Sequence, residues 1–393
     1  MLVAKTFATD PRVRREATLL ANHGFEVQVL SWDRGGYRPP TEIIERCSVR
    51  NMKLGKTSPL AHSRLHYLVA AVVFQWFILL WLVRQIQAAG ALIVHAHDFN
   101  TLLVCVVARS LLKSRVRLIY DCHELTPGVY QEWYGSFVSR IVGRIEFVLV
   151  RGVDAIVTAN EAILDHLRCA TAVPGAVIYC CPALKEVPEV EPQVAKKRLG
   201  LEGRFVVLFA GEARQDYDFG LMLRAAIQLG KCNRSEFRFL FIGRSEEVRS
   251  VVDATAPNEA RGLFEFRGWV EDKDVLLYYL ASDLCYAVVH DLGPNTNILT
   301  PIKLFESMAC AVPVIVRVGT LAAELVKRWH CGIVAEIPKF SLSDELMRLN
   351  ENREALRVLG GAGRKAFLAE YNWDLMEARL LGLYSRVTRT KFR

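Results

Sequence analysis

Short apolar runs alternate with stretches of helical periodicity along the whole chain, and the alternation restarts once. That pattern confines the chain to doubly wound α/β architecture, in which parallel strands are buried on both faces by the helices that connect them. In the first half, strands are expected at Leu2–Ala4, Val27–Ser31, Leu92–His95, Arg117–Tyr120, Ala155–Thr158 and Ala176–Tyr179. A helix at Pro11–Asn22 carries its own boundaries: Asp10 as N-cap, Pro11 at the first helical position and Gly24 just past the end. The Pro- and Glu-rich segment Pro182 to Pro192 breaks the pattern and reads as a linker. Beyond it, strands are expected at Phe205–Ala210, Phe237–Ile242, Leu263–Arg267, Leu284–Val289 and Val314–Val316, again separated by helices.

With 393 residues the chain can build two such domains. The expected division is 1–184, then 185–370, then a terminal helix in 371–393 that crosses back to the first domain. Ligands of open α/β sheets sit beyond the carboxyl ends of the strands, so two facing sheets would hold a substrate in the cleft between them. Charge is uneven: of a net +8, residues 1–184 carry +6. This surplus suits an anionic membrane or a phosphorylated ligand. Nucleic acid is not an expected partner, because there is neither a clustered basic stripe nor a reading motif. The ten cysteines lack the paired spacing of a zinc site or a disulfide framework and read as reduced thiols of a cytoplasmic protein. No signal peptide is expected from the first residues.

Leu68 to Val83 is the most apolar stretch, broken only by Gln75. It falls slightly short of the roughly 20 residues a spanning helix needs. Three readings are ordered here: first a helix lying in a membrane interface, with Trp76, Phe77 and Trp81 among the membrane-facing residues and Arg64 and Arg84 at its ends; second a buried crossover helix; last a span.

Chemistry-bearing residues gather where strands end. The turn Thr9-Asp10-Pro11-Arg12 leads into a helix whose N-terminus could hold an anion, although capping alone explains Asp10. His95, His97 and Asp98 close one strand, and Asp121, His123 and Glu124 close the next. Two adjacent strand ends that both offer imidazole and carboxylate groups point to a site. A metal held by His95, His97, Asp98 and His123 is conceivable, but the expectation is that none is required. In the second half, Gly211 and Arg214 follow a strand, placing a cation at its end. Thr300 as cap and Pro301 as first residue would open a helix whose free N–H groups and Lys303 together suit a diphosphate. Glu306, on the same face, could accept hydrogen bonds from ribose hydroxyls, and Asn295 and Asn297 lie on the approach.

The segments DPRVRREATLLANHGFEVQVLSWDR, HAHD, YDCHEL, FAGEAR, FRGWV and TPIKLFESMACAVPVIV follow one another in this order. Together they resemble the family 4 retaining glycosyltransferases of the GT-B fold, over essentially the whole chain. The resemblance is greatest to enzymes that build surface polysaccharides, glycolipids or lipid-linked glycans at the cytoplasmic membrane face. It implies two facing Rossmann-like domains, a nucleotide-sugar donor (UDP- or GDP-linked), a lipid-linked or glycan acceptor, peripheral attachment to the inner face of the cell membrane, and no cofactor. It further implies that Arg214 and Lys303 neutralise the leaving diphosphate, that Glu306 holds the ribose, and that Gly268-Trp269-Val270 meets the base. Gly211, Asn295, Asn297 and Thr300 would join that donor site. His123 matches the family's active-site histidine. Asp98 would act with it, and Thr9, Asp10, Arg12, His97 and Glu124 would face the acceptor. Two family positions differ: Ile298 stands where the first of a glutamate pair is usual, and Phe219 where a second cation is usual. A nucleotide-sugar epimerase of the same fold and a non-catalytic membrane-docked scaffold are the competing readings. The first would act on donor alone; the second would bind nucleoside diphosphates poorly.

Overall fold

Residues 1–54, 64–112 and 115–388 are described by the structure, a computed structural model; of helical residues 64–68 and 112 only the backbone is described. The side chains of Arg64 and Leu68 therefore lie outside the described set. The chain divides into Met1–Cys180 with Met376–Arg393, here unit 1, and Cys181–Leu375, unit 2.

Unit 1 is built on β1 (Leu2–Val3), β2 (Gln28–Trp32), β3 (Thr41–Ile44), β4 (Cys47–Met52), β5 (Leu92–His97), β6 (Val116–Cys122), β7 (Ala155–Thr158) and β8 (Gly175–Val177). Their order is β3-β4-β2-β1-β5-β6-β7-β8, and every pair is parallel except β3 with β4. That antiparallel hairpin is not foreseen by the sequence pattern. Its turn is made by Glu45 and Arg46, both at positive φ (47° and 69°), without the Asn-Gly or Asp-Gly pair that usually marks such a turn.

The helices of this unit are α1 (Pro11–Asn22), α2 (Arg64–Ala89), α3 (Phe99–Leu112), α4 (Thr126–Tyr134), α5 (Ser136–Val150) and α6 (Glu161–Arg168). The Asp10 carboxylate accepts from the N–H of Val13 at 3.1 Å, the expected cap. Crossovers from β4 to β5, β5 to β6 and β6 to β7 all step the same way across the sheet. Right-handed connections therefore put α2, α3 and α5 on one face and α1, whose crossover steps the other way, on the opposite one.

α2 has two apolar faces. Ala70, Phe74, Ile78, Leu82 and Ile86, spaced by four, are buried, and Phe74 packs on Trp32 at 5.3 Å between ring centroids. Val69, Val72, Trp76 and Leu80, spaced by three or four, are exposed. The helix is thus neither wholly buried nor free of the core, because one stripe alone is consumed by packing.

Unit 2 is built on β9 (Phe205–Ala210), β10 (Phe237–Ile242), β11 (Phe264–Phe266), β12 (Leu284–Ala287), β13 (Val314–Arg317) and β14 (Gly332–Ala335), all parallel, in the order β11-β10-β9-β12-β13-β14. Its helices are α7 (Pro192–Arg198), α8 (Phe219–Lys231), α9 (Glu246–Thr255), α10 (Asn258–Arg261), α11 (Asp272–Leu280), α12 (Pro294–Asn297), α13 (Ile302–Ala309), α14 (Leu321–Trp329), α15 (Leu342–Glu351) and α16 (Arg353–Ala369). A last helix, α17 (Trp373–Thr388), begins in unit 2 and from Met376 belongs to unit 1. There Tyr384 meets Phe25 edge-on at 5.4 Å.

α16 packs on the loop that ends α13 through Gly360: a Cβ there would lie 1.9 Å from the carbonyl oxygen of Ala311. Gly361, its neighbour, has nothing within 4 Å of the same position. Gly360→Ala should therefore destabilise the protein by about 1–3 kcal/mol in denaturant titration, whereas Gly361→Ala should leave the midpoint unchanged or slightly raised. Equal effects at the two positions would contradict this packing.

Candidate functional site

In unit 2 the strand order reverses between β9 and β12, the position at which open sheets bind ligands. Three parallel strands end there on glycines. The N–H of Gly211 donates to Ile242 at 2.9 Å, and that of Gly243 donates to Gly268 at 2.6 Å. A Cβ on Gly243 would stand 2.3 Å from the oxygen of Gly211, and all three residues have positive φ. Only glycine lets these strand ends approach so closely.

Above them opens a cavity of about 350 Å³, lined among others by Gly211, Arg214, Tyr217, Trp269, Val270, Lys303 and Glu306. Lys303 is buried; its Nζ donates to the Tyr217 hydroxyl at 2.8 Å and lies 4.6 Å and 4.3 Å from the ring centroids of Phe209 and Tyr217. Phe219, at the position where the resemblance leads one to expect a second cation, packs edge-on against Phe209 at 4.9 Å and so supports the aromatic wall behind Lys303. Glu306 accepts from the Tyr279 hydroxyl at 2.8 Å. Arg214, exposed, donates from Nη2 to Asp216 at 2.6 Å.

The start of α13 differs from the expectation. Pro301, not Thr300, is the N-cap, and no side chain caps the helix. Pro301 holds extended φ/ψ and brings no polar side-chain atom, so the N–H groups of Ile302 and Lys303 are left for something other than a cap. Gly268, Asn295, Asn297 and Thr300 lie outside the cavity lining. Asn295 is buried on α12, and Asn297 accepts from Arg317 at 2.7 Å and donates to Asp291 at 3.3 Å. Tyr217, Gly243 and Ile302 were not singled out in the sequence. The repeated ending of an apolar run on glycine is the signal that could have found Gly243.

In unit 1 the reversal falls between β1 and β5, and the ends of β1, β5 and β6 lie side by side. They bring Lys5 and Asp10, His97 and Asp98, and Asp121 and His123 together. Arg12 is buried and points inward: its Nη2 donates to Asp121 Oδ1 at 2.7 Å, its Nη1 to the carbonyl of Ile178, and its Nε lies 3.3 Å from Glu16. Asp121 Oδ2 also lies 3.1 Å from both His97 Nδ1 and His123 Nε2. His97 stacks on His95 with centroids 4.4 Å apart, and His95 Nδ1 is 2.8 Å from the Tyr384 hydroxyl of α17. Asp98 sits at φ 62°, a conformation Asp tolerates better than most residues. There its Oδ1 accepts from the His123 N–H at 3.3 Å, and Oδ2 lies 3.9 Å from Lys5. Thr9 and Glu124 are exposed, whereas Arg12 and His97 are buried by the contacts just described, not turned outward as the acceptor role would require.

Burial opposes charge throughout this cluster, and the neighbours decide which groups keep it. Burial would raise Asp121, but Arg12 and His123 outweigh it and hold the carboxyl well below its ordinary range. Burial would raise Asp10 as well, but Lys5 and His123 hold it at about 2. Burial and the Asp121 charge push Glu16 well above the ordinary range. Burial lowers His95 and His97. His123 moves the other way: Asp98 and Asp121 overcome its burial and raise it. Glu16, His95, His97 and Asp121 offer atoms close enough together to coordinate a metal ion, but the Arg12 guanidinium already supplies positive charge to both carboxylates.

Residues 8–181 match the sequence model described as "Glycosyl transferase 4-like domain", and residues 192–366 match that of "Glycosyl transferases group 1". No curated protein sequence matches the chain. Among solved structures, sucrose-phosphate synthase from Thermosynechococcus elongatus is similar at TM-score 0.77 and 18% identity over 99% of both chains. HepE of Anabaena in complex with UDP is similar at 0.68 and 14%, over 98% of this chain and 99% of that one. The trehalose 6-phosphate synthase of Burkholderia multivorans is similar at 0.70 and 9%, over 99% and 98%. At these identities the likenesses establish the fold: two α/β units of the GT-B type.

Removing the Arg12 guanidinium leaves Asp121 buried without its strongest partner, so Arg12→Ala should lower stability by about 3–5 kcal/mol in denaturant titration. A loss below 1 kcal/mol would contradict the pairing. In an NMR titration of the imidazoles, His123 should titrate above the ordinary 6.5 and His95 below it. His123 binds its proton more tightly when folded, so its contribution to stability is complete below pH 6.5 and fades as pH rises through the raised value. The contribution of neutral His95 is complete above 6.5 and fades as pH falls through the lowered value.

Proposed function

The chain belongs to the family 4-like glycosyltransferases of the GT-B fold, and we propose that it moves a sugar from a nucleotide-sugar to a lipid-linked or surface-glycan acceptor, keeping the anomeric configuration. The observation that carries this reading is Lys303: a cation held against an aromatic wall, facing a cavity at the uncapped start of α13.

Departure of a nucleoside diphosphate leaves negative charge on a phosphate oxygen, and stabilising that charge is the principal demand of the reaction. Lys303 Nζ, the N–H groups opening α13 and Arg214 supply it in unit 2. A ribose hydroxyl donates to Glu306, and Trp269, largely exposed, offers its face to the base beside Val270. HepE, whose structures hold UDP and UDP-glucose, makes a uridine donor a sensible first candidate here. In the transfer, the bond from the anomeric carbon to the phosphate oxygen breaks with its electron pair going to that oxygen. The acceptor oxygen bonds to the anomeric carbon, and its proton passes to the departing phosphate. No carboxylate nucleophile is then required, which fits Ile298 at the place of a glutamate. On the unit 1 side His123 is the active-site histidine of the proposal, with Asp98 holding its backbone N–H. The neutralising charge comes from side chains and helix N–H groups, so no metal and no cofactor enter the proposal. The acceptor side is assigned to unit 1, acting peripherally on the cytoplasmic face of the cell membrane.

A screen of UDP-, GDP- and ADP-sugars against a membrane extract should give a lipid-soluble or glycan product with one donor. Conversion of donor alone into another sugar would support the epimerase reading instead. Lys303→Ala should lower turnover by about 10²- to 10³-fold with an unchanged circular dichroism spectrum. Undiminished turnover would sink the cradle, and loss of turnover on EDTA treatment would sink the metal-free charge balance.

A further inference from the structure

Helices of a soluble domain usually turn an apolar stripe inward and a polar one outward. Three neighbouring helices of unit 1 break that rule together. α3 packs between α2 and α5 on one face of the sheet. Besides its buried stripe, each exposes a second apolar one: Trp76 and Leu80 on α2, Leu103 and Leu111 on α3, Ile141 and Val148 on α5. The spacing along α3 is Leu103, Val107, Leu111, and along α5 Phe137, Ile141, Ile145, so both stripes run along their helices at helical period. Exposed apolar residues of unit 2, such as Val194, Val251 and Val358, are by contrast scattered singly.

The charges on this face have one sign. α2 and α3 contain no Asp or Glu, and the single acid of α5, Glu146, is fully buried, where it accepts from the Tyr120 hydroxyl at 2.7 Å. The exposed charged side chains of these helices, among the described residues, are arginines: Arg84, Arg140 and Arg144. At the border of α2 with the sheet, Arg84 and Arg50 line a small notch of about 120 Å³ together with Trp81, Phe77 and Leu80. Neither arginine forms an ion pair with a described residue.

From this juxtaposition we propose that the outer surfaces of α2, α3 and α5 form a monotopic docking face for an anionic lipid bilayer, with Arg50 and Arg84 receiving a lipid phosphate at its edge. Apolar stripes enter the headgroup boundary and arginines meet the negative surface, the combination an interfacial helix uses. Charge decides the occupant. A second copy of this chain would bring the same cationic face, and a basic protein partner would be repelled. α2 is long and apolar enough to cross a membrane, but its Phe74 and Ile78 stripe is committed to the core, which favours docking over a span. The proposal rests on the membrane part of the functional reading and is independent of the transfer chemistry.

The test is vesicle flotation of the full chain, with phosphatidylglycerol-containing vesicles, neutral phosphatidylcholine vesicles and inorganic phosphate as a competitor. Wild type should float with the anionic vesicles, less with neutral ones, and less at high salt. Arg140→Gln and Arg144→Gln should each weaken anionic binding on the order of fivefold. Trp76→Ser with Leu80→Ser should abolish flotation while the thermal midpoint is kept, since both side chains are exposed. Lys303→Ala should float like wild type, so that loss of turnover and loss of docking are read separately. No flotation with anionic vesicles, or flotation indifferent to all these variants, would overturn the face. A dimer in solution that the Trp76 and Leu80 changes dissolve would overturn it in favour of self-association. Competition by millimolar phosphate as strong as by vesicles would overturn the lipid assignment of the Arg50–Arg84 notch.

Discussion

Arg12 is the residue on which the strand-end cluster of unit 1 depends. Its guanidinium joins α1 to β6 through Asp121 and to the segment after β8 through the carbonyl of Ile178. Without that cation, Asp121 could not stay ionised in the interior, and with Asp121 neutral His123 would lose one of its two supporting carboxylates. The charge order of the cluster therefore runs from a helix on one side of the sheet to an imidazole at its carboxyl edge. Buried ion pairs contribute little net stability and a great deal of position. Here the position fixed is that of His123 relative to the ends of β5 and β6.

Unit 2 reaches a comparable result by different means. Its cation is held by aromatic surface and a hydroxyl, with Lys303 seated between Tyr217 and Phe209 and Phe219 bracing the wall. The substitution of Phe219 for a second cation is thus structural as well as electrostatic. Pro301 complements this arrangement, since a cap without a polar side chain leaves the first N–H groups of α13 to a ligand.

Much of this was legible in the sequence because it is local. Asp10, Pro11 and Gly24 mark α1, and the apolar runs of β5, β6, β9 and β10 stand where the pattern puts them. Strand ends bearing His97, Asp98, Asp121, His123 and Arg214, and the helix start bearing Lys303, follow from the same periodicity. What was not legible is set by distance or by backbone conformation. Arg12 and Asp121 are 109 residues apart, and nothing near Arg12 says that it points inward. The β3–β4 hairpin turns on Glu45 and Arg46 at positive φ, which side-chain preference does not announce. Thr300 was a better cap than Pro301 on composition; the chain's path decided otherwise. The exposed stripes of α3 and α5 look like core in sequence, because apolar periodicity does not state which of two stripes is covered.

The glycine floor of unit 2 has a consequence for how such a site can change over evolutionary time. Gly211 and Gly243 present main chain alone, and the approach of Gly243 to Gly211 admits no side chain. A floor of this kind cannot be tuned by substitution; it can only be kept or broken. Selectivity must drift through the walls, at Tyr217, Trp269, Val270 and Glu306, whose side chains vary without moving the strands beneath them. The site thus separates a part that side-chain changes cannot reach from a part that they can rewrite one residue at a time.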